Sequence, residues 1–387
     1  MNDNDPPRSE TDLAALIGEA TIDLVATPRA QFAPWHRPRK QYVRRRQWIA
    51  EIDALVEDLK LDGQDFKYFS LPGDDLIDLY QIRAEVCEKR SLNMRFLGFN
   101  TAAHPSNPHQ QRLDVNLHGL KRLPNVDQIS HIYPDDLKLI ARPRSVQRKR
   151  ISEFGPFHAL NIDLCDGLAR PGDANGTENL FDALEVVLET QSRTTHDSLI
   201  FITSRFDSPE VSPTSRFALS KILRENLENC ESFRTAVCNE WGIAPAPDSS
   251  SLTADLTEGE QFILGFAKWV ISAALRMRML ATVGSVFTYK IVPASTEDDL
   301  VSISIRLSPD RSIPPDPSGL SDSKFSTITD ECELAGKVPA RVSHRRSVDA
   351  VLQSDPAAFA SAVAETSAVL GDLGYSKTAY LQWVENA

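Results

Sequence analysis

The stretch from Phe66 to Asn100 constrains the fold more than any other part of the chain. Its segments FKYFSLPG, DDLIDLYQIRAEVCEKRS and NMRFLGFN predict a buried strand, a turn at Gly73, a helix and a second short apolar strand. A β-turn-α-β unit of this kind opens the doubly wound sheets that bind nucleotides. We therefore expect an α/β sheet with a ligand site near the Gly73 turn.

The alternation of strands and helices continues beyond this unit. Apolar segments at 126–132, 157–165 and 198–205 predict three more strands, with helical patterns in DLKLIARPRSVQRKR and TENLFDALEVVLETQS between them. Regular β/α alternation is typical of a mostly parallel sheet with helices on both faces. The segment SLIFITSR is apolar almost throughout, which predicts a central strand.

The pattern changes after the fifth strand and divides the chain into regions. Residues 207–282 predict a helical insertion, and SVFTYKIVPA and DLVSISIRLSP, separated by STEDD, predict a β-hairpin. The expected regions are an N-terminal arm with a basic amphipathic helix (1–62), a seven-stranded sheet domain (63–310), a linker (311–346) and a C-terminal helical segment (347–387).

Two basic clusters stand out in a chain whose formal net charge is −12. The first basic cluster is Arg37, Arg39, Lys40, Arg44, Arg45 and Arg46, and the second is Arg142, Arg144, Arg148, Lys149 and Arg150. Neither segment contains an acidic residue, and apolar residues spaced by three and four place the first on a helix from about residue 38 to 60. Concentrated positive charge on an acidic chain predicts docking of a polyanion at a defined place.

Aromatic residues interleave with the first cluster, and this combination suits nucleic acid or another phosphate ligand. The expected contacts are His36, Arg37, Arg39, Lys40, Arg44, Arg45, Arg46, Arg148, Lys149 and Arg150. The alternative is that the aromatic side chains are core anchors and that the arginines pair with the acidic body of the protein.

Other sequence features exclude several classes of protein. The five cysteines are scattered without a CxxC pair, so their spacing predicts neither a disulfide framework nor a metal centre. No apolar run is long enough to span a membrane, and the acidic, polar start of the chain is unlike a secretory signal. These features lead us to expect a cytoplasmic protein. Walker, Gly-Xaa-Ser-Xaa-Gly and His-Glu-Xaa-Xaa-His motifs are all absent.

Five β/α units closed by a hairpin resemble class I S-adenosylmethionine-dependent methyltransferases, from residue 66 to about 309. The resemblance implies S-adenosylmethionine as cofactor and no metal. It implies cofactor-binding positions at Leu71, Gly73, Asp74, Asp75, Asn100 and Asp135, with Asp136 as the alternative to Asp135, and catalytic or substrate-facing candidates at Asp163 and Asp166 beside Cys165. The chain departs from the family in having one glycine where two or three are usual, and Asn100 where an acid is usual.

The segments PWHRPRKQYVRRRQW, SLPGDD, LGFN and NIDLCD also resemble a group of uncharacterised bacterial proteins from defence and mobile-element gene clusters. Together the two resemblances predict a methyltransferase-like protein, with active or degenerate cofactor chemistry, that engages nucleic acid or a nucleic-acid-processing complex in anti-phage defence. The alternative is a non-catalytic adaptor or structural subunit whose helical parts hold partner proteins.

Overall fold

An eight-stranded sheet forms the centre of the computed structural model, which describes residues 28–170, 179–207, 210–244, 249–291, 296–312, 318, 320 and 329–386. The strands are β1 Asp65–Ser70, β2 Asn93–Phe99, β3 His131–Tyr133, β4 Ala159–Gly167, β5 Ser198–Arg205, β6 Met279–Tyr289, β7 Leu300–Pro309 and β8 Arg346–Ser347. Their order is β3-β2-β1-β4-β5-β7-β6-β8. The first five pair in parallel, and β7 inserts antiparallel between β5 and β6.

This order places β1 and β4 at the point where the chain direction across the sheet reverses. From β1 the chain winds outward to β2 and β3, and then returns to the other side at β4. Ligands of open α/β sheets bind outside the carboxyl ends of the strands at such a switch point. The topology therefore directs attention to the turns that follow β1 and β4.

Fifteen α-helices surround the sheet among the described residues. They are α1 Pro38–Val43, α2 Ala50–Leu59, α3 Ile77–Ile82, α4 Gln110–Lys121, α5 Val146–Phe154, α6 Leu180–Gln191, α7 Pro213–Asn229, α8 Glu231–Trp241, α9 Ser249–Ala254, α10 Glu258–Arg276, α11 Glu331–Ala335, α12 Val338–Ser343, α13 Val348–Ser354, α14 Pro356–Asp372 and α15 Lys377–Glu385. Short 3₁₀ turns occur at Pro34–His36, Thr101–Ala103 and Leu137–Ala141.

The predicted basic helix is present, and it contains a π-helical stretch. Helix α1 continues through Arg44–Ile49 in π geometry into α2. Trp48 is buried in this stretch, and its indole N–H donates to Ser302 Oγ on β7 at 3.3 Å. The neighbouring Gln47 donates to the carbonyl oxygens of Ser285 and Ser302. The helix is thus fixed to the hairpin end of the sheet by polar contacts as well as apolar ones.

Two apolar cores lie on opposite faces of the sheet. One face packs against α6, α7, α8 and α10, which include the helical insertion. The other packs against α1, α2, α3 and α4 together with part of the C-terminal helices. A third, smaller cluster joins Ile77 to Leu370, Tyr375 and Tyr380, so the C-terminal segment packs beside the start of α3.

Several local expectations from the sequence are corrected by the structure. The sheet has eight strands rather than seven, because Arg346–Ser347 pairs in parallel with β6. The insertion ends earlier than expected, since α10 stops at Arg276 and β6 begins at Met279. The third strand is only His131–Tyr133, with a single bridge joining Val126 to Met94. Helices α11 and α12 lie inside 311–346, the region expected to be a linker.

The cysteine expectation is also corrected. Cys230, at the start of α8, and Cys332, on α11, form a disulfide although 102 residues separate them in the chain. Spacing alone gives no sign of this pair, because the two helices meet only in the folded protein. Among the described residues, no helix combines the length and the apolar character needed to cross a bilayer.

Candidate functional site

A cavity of about 390 Å³ opens at the carboxyl ends of β1, β2 and β4. The turn after β1 supplies residues 71–78, the end of β2 supplies residues 99–101, and the segment after β3 supplies residues 135–138. The end of β4 supplies Asp163, Leu164 and Gly167. Its volume lies within the range of small-molecule and cofactor sites, and its place matches the expected ligand crevice. We call it the strand-end cavity.

Residues predicted separately from the sequence meet in this cavity. The wall includes every predicted cofactor residue and one of the two catalytic candidates: Leu71, Gly73, Asp74, Asp75, Asn100, Asp135 and Asp163. The side chain of the second candidate, Asp166, and that of Cys165 lie outside the described residues. The sequence therefore located the cavity, although the role of each residue depends on its partners in the folded protein.

Gly73 leaves open space in the wall of the cavity. A Cβ built at this position meets no atom within 4 Å, so the protein itself does not require glycine there. Gly98 on β2 is different, because a Cβ there would lie 3.0 Å from Ile132 Cγ1 and 3.1 Å from Pro72 Cγ. Sequence reasoning missed Gly98, whose small size lets the β1 turn pack against β2.

Asp75 holds the two ends of the described chain together rather than facing a ligand with a free carboxylate. The side chain is buried, and His36 Nε2 lies 3.1 Å from Asp75 Oδ2. The Tyr375 hydroxyl donates to the carboxylate at 3.0 Å, and Arg29 Nη1 approaches to 3.4 Å. Burial alone would raise the pKa of Asp75, but the hydrogen bond and charge of His36 outweigh it, so the pKa lies below its ordinary value.

Lys40 reaches the end of β4 from the basic helix. Its ammonium donates to Asp163 Oδ1 at 2.5 Å and to the Tyr289 hydroxyl at 3.0 Å, and Lys40 is buried. Burial opposes the charged form of Lys40, yet the adjacent Asp163 carboxylate holds its pKa above the ordinary value. A charged, hydrogen-bonded pair thus occupies the position predicted for substrate-facing groups.

Arg44 forms a second buried ion pair at the same edge. Its Nε donates to Asp78 Oδ1 at 2.5 Å, and its Nη1 donates to the Trp35 carbonyl oxygen at 3.0 Å. Both side chains line or border the cavity, and both are buried. Sequence reasoning did not single out Asp78, because an acid in the first turn of a helix is common wherever the helix dipole favours it.

Most other cations of the first basic cluster, which was predicted to contact nucleic acid, also contact side chains of the protein itself. Arg39 contacts Asp349 at 3.2 Å, Arg45 contacts Glu85 at 2.8 Å, and Arg37 lies over the Trp383 ring at 4.0 Å. Arg46 is exposed. A phosphate contact from Lys40 or Arg44 would require the opening of a buried ion pair.

The second basic cluster faces outward at two of its predicted contacts. Arg148 pairs with the exposed Glu189 at 2.6 Å, and the Lys149 side chain is 72% exposed. Arg150 turns inward instead, where it pairs with Asp135 and lies over the Tyr133 ring at 3.7 Å from its centroid.

Two residues predicted to bind the cofactor, Asp135 and Asn100, have side chains that already bond to other parts of the protein. Asp135 is buried between Arg150 and Gln147, whereas its neighbour Asp136 is exposed at the cavity wall and accepts from Lys138 N at 2.9 Å. Asn100 accepts from Ala102 N at 2.6 Å and donates to the Pro72 carbonyl at 2.8 Å. Of the two acids considered after β3, Asp136 is therefore the better placed to meet a ligand.

No group of three or more His, Cys, Asp or Glu side chains within the described ranges is arranged to hold a metal ion. The chemistry of the strand-end cavity rests instead on carboxylates, cations and apolar walls. Among its described lining residues, six are acidic (Asp74, Asp75, Asp78, Asp135, Asp136, Asp163) and three are basic (Arg44, Lys138, Arg170).

The strand order and the position of the cavity define a doubly wound, mostly parallel α/β protein with a ligand-sized cavity at the carboxyl edge of its sheet. The predicted parallel sheet closed by an antiparallel hairpin is confirmed by the strand order, with β7 between β5 and β6. A family model described as PP_RS20740-like matches residues 29–385, and the chain belongs to that family. No curated protein matches it.

Three of the solved structures that match the chain have TM-scores between 0.29 and 0.34 and identities between 9% and 12%. A putative class I S-adenosylmethionine-dependent methyltransferase from Listeria monocytogenes has a TM-score of 0.34 at 12% identity, covering 77% of this chain and 69% of that chain. A modification subunit of a putative type I restriction enzyme from Vibrio vulnificus has a TM-score of 0.30 at 9% identity, covering 68% of this chain and 44% of that chain. A putative zinc-dependent alcohol dehydrogenase from Rhodobacter sphaeroides has a TM-score of 0.29 at 9% identity, covering 70% of this chain and 98% of that chain.

Proposed function

We propose that the strand-end cavity binds S-adenosylmethionine or its demethylated product, and that the protein uses this ligand in work on nucleic acid. One observation carries the cofactor part of the proposal. Six positions expected to contact the cofactor, taken from separate segments of sequence, line a single cavity at the switch point of the sheet.

The residues present fit an adenosyl ligand in shape and charge. Leu71, Phe99, Leu137, Leu164 and Leu180 give the cavity apolar walls suited to a purine ring. The open space at Gly73 admits a ligand close to the backbone. Most carboxylates of the cavity already pair with cations of the protein, and the exposed Asp136 is the carboxylate best placed to meet a positively charged or hydrogen-bonding group of the ligand.

The fit differs from the usual family pattern at the ribose. Asn100 uses its amide on Pro72 and Ala102, so it joins the turn after β1 to the end of β2. A ribose hydroxyl there would meet a neutral amide, which gives a weaker hydrogen bond than a carboxylate. We expect Asp136, rather than Asp135, to provide the acidic contact on the adenine side.

When bound, S-adenosylmethionine supplies an electrophilic methyl group. The chain's own contribution at the end of β4 is the Lys40–Asp163 pair, which keeps a carboxylate oriented at the cavity wall. We assign Asp163 a positioning role toward the ligand or acceptor, because its Oδ1 is already committed to Lys40. Asp166 stays a prediction for catalysis.

The proposal extends to nucleic acid on the strength of the two basic clusters. Exposed cations suited to phosphate contact include Arg46 on the first cluster and Lys149 on the second. A role in anti-phage defence and association with partner proteins, including the non-catalytic adaptor alternative, stay predictions from the resemblance of the sequence.

Calorimetric titration with S-adenosylmethionine and S-adenosylhomocysteine tests the cofactor proposal. A Cβ at Gly73 meets no protein atom within 4 Å, so the side chain of Gly73→Val should occupy the space proposed for the ligand, and we expect binding to be lost while the melting temperature stays unchanged. Asp136→Ala should weaken binding about tenfold. Arg46→Ala, at an exposed site outside the cavity, is the matched control and should bind normally. Absence of heat with the unmodified protein at high micromolar ligand would contradict the proposal.

A further inference from the structure

A second, smaller cavity adjoins the strand-end cavity. Its volume is about 120 Å³, and the two cavities share Trp35, Asp163 and Leu164 in their walls. The second cavity lies between the start of the basic helix and the ends of β5, β6 and β7, where it contacts Thr203, Tyr289 and Leu300. We call it the side cavity.

The two adjoining cavities differ in how their charged side chains are paired. In the strand-end cavity, four of the carboxylates are in ion pairs with cations of the protein: Asp75, Asp78, Asp135 and Asp163. The side cavity is lined by Arg37, Arg39, Lys40 and Lys290, and by one acid, Asp163, among its described lining residues. This excess of cations favours a ligand that carries negative charge.

The four cations of the side cavity differ in their partners. Lys40 pairs with Asp163 and Arg39 pairs with Asp349. The side chains of Arg37 and Lys290 form no ion pair within the described part of the chain, and the Arg37 guanidinium lies over the Trp383 ring. Burial and the nearby Arg39 hold the pKa of Arg37 below its ordinary value.

The remaining walls are apolar and aromatic. Trp35, Leu164, Tyr289 and Ile291 line the side cavity, and Trp35 is 37% exposed. The side cavity, at about 120 Å³, is smaller than an apolar cavity of about 150 Å³ that takes up benzene, so it holds at most one flat ring, and the sugar and phosphate of a nucleotide would lie at its mouth. Aromatic side chains in such a wall offer stacking surfaces for a base.

We propose that the side cavity binds a single nucleotide unit: its ring between the apolar walls and its phosphate on Arg37 and Lys290. Two cations without an ion-pair partner match a phosphate, which carries about −1.5 to −2 charges at neutral pH, better than a carboxylate. The unit is a free mononucleotide or one nucleotide of a single strand. This inference rests on the proposed function, since the shared wall at Asp163 places the ring beside the proposed adenosyl site.

The test is titration of the full chain with four probes: a nucleoside 5′-monophosphate, the matching nucleoside, inorganic phosphate and a short single-stranded oligonucleotide. Each is measured with and without saturating S-adenosylhomocysteine. We expect the monophosphate or the oligonucleotide to bind at least about tenfold more tightly than the nucleoside or phosphate alone. Binding of the monophosphate indicates a free nucleotide, and binding of the oligonucleotide alone indicates a strand.

Lys290→Ala removes one phosphate contact and should weaken that binding about tenfold, with Arg37→Ala doing the same. Lys221→Ala, at an exposed site on α7 outside both cavities and both basic clusters, should leave the affinity unchanged. Equal reductions in affinity for Lys290→Ala and Lys221→Ala would overturn the site, because binding would then follow overall charge. Nucleoside and monophosphate of equal affinity would also overturn it.

Failure of the two proposals can be told apart. Nucleotide binding that depends on Lys290, without binding of S-adenosylhomocysteine, supports the side cavity and contradicts the adenosyl site. Binding of S-adenosylhomocysteine that is lost in Gly73→Val, in a protein that shows no nucleotide binding, supports the adenosyl site and contradicts the side cavity. Trp35→Ala should lower nucleotide affinity and leave the affinity for inorganic phosphate unchanged.

Discussion

The two basic clusters look alike in sequence, and the fold uses them in opposite ways. The first cluster turns Lys40 and Arg44 inward, where each meets a carboxylate at the carboxyl edge of the sheet. The second cluster leaves Arg148 and Lys149 at the surface, with partners that are themselves exposed. Both segments lack acidic residues of their own, so local composition does not distinguish them.

The difference lies in what surrounds each cluster. The basic helix docks on the sheet where β1 and β4 end and α3 begins, and these elements bring Asp78 and Asp163. Three residues of the second cluster lie on α5, whose buried residue is Ile151: Arg148 and Lys149 pair with surface acids, whereas Arg150 meets the buried Asp135. A cation in such a run is therefore available to a polyanion only where the fold brings no buried carboxylate to it.

The largest expected effect comes from removing a buried partner of the first cluster. Asp78→Ala leaves Arg44 buried without its carboxylate, which should cost about 3–5 kcal/mol of unfolding free energy in chemical denaturation. Arg46→Ala, at an exposed position of the same π-helical stretch, should stay within about 0.5 kcal/mol. Equally small effects for both variants would show that the buried Arg44–Asp78 pair contributes no more to stability than the exposed Arg46.

The next effect depends on pH. The pKa of Asp75 lies below its ordinary value of 3.8, so the bonds to its carboxylate stabilise the fold above that pH and disappear as the pH falls through the lower folded value. Asp75→Asn should therefore cost about 1–2 kcal/mol at pH 7, and the difference from the unmodified protein should shrink below about pH 4.

Denaturation at several pH values measures this difference. Glu189→Gln breaks an exposed pair of the second cluster and serves as the control, with an expected cost below about 1 kcal/mol at every pH. A constant cost for Asp75→Asn between neutral pH and about pH 3 would show that the charge of Asp75 contributes nothing.

The smallest effect on stability belongs to the second cluster. Arg148→Ala with Lys149→Ala should change the unfolding free energy by less than about 1 kcal/mol, because both side chains pair only at the surface. If this surface binds phosphates, the slope of log affinity for DNA or RNA against log salt should fall by about 0.9 for each phosphate that is no longer neutralised. An unchanged slope would exclude these two residues from the nucleic-acid surface.

Much of the fold could be predicted because periodicity and strand order are local or nearly local signals. The fifth strand was predicted with its observed bounds, Ser198–Arg205, and the hairpin after the insertion is confirmed as β6 and β7. The expected strand at 126–132 was mostly wrong, because its polar residues do not sustain a ladder: Val126 forms a single bridge to Met94, and continuous pairing with β2 is limited to His131–Tyr133. The Met279 boundary was missed because an apolar run can continue a helix or begin a buried strand.

The contents of the site were predictable in part. The rule that ligands bind at the carboxyl ends of strands predicted a site near the Gly73 turn and Asp163, the resemblance to methyltransferases added Asn100, and all three line one cavity. The partners of Asp75 could not be predicted, since Tyr375 is 300 residues away in sequence. The same holds for Tyr289 beside Lys40, and for the disulfide. Pairs at such separations have no local signal, and without them the direction of the basic side chains could not be decided.

The bonds between the two ends of the described chain have a consequence for its synthesis. Arg29 and His36 leave the ribosome hundreds of residues before Tyr375 and Tyr380, whose hydroxyls reach Asp75 and the His36 carbonyl. At about 5–20 residues per second, many seconds pass between the synthesis of the basic helix and the synthesis of the C-terminal residues that contact it. Asp78 and Asp163 are synthesised within that interval and can already pair with the helix, whereas its contacts with the C-terminal segment form only later.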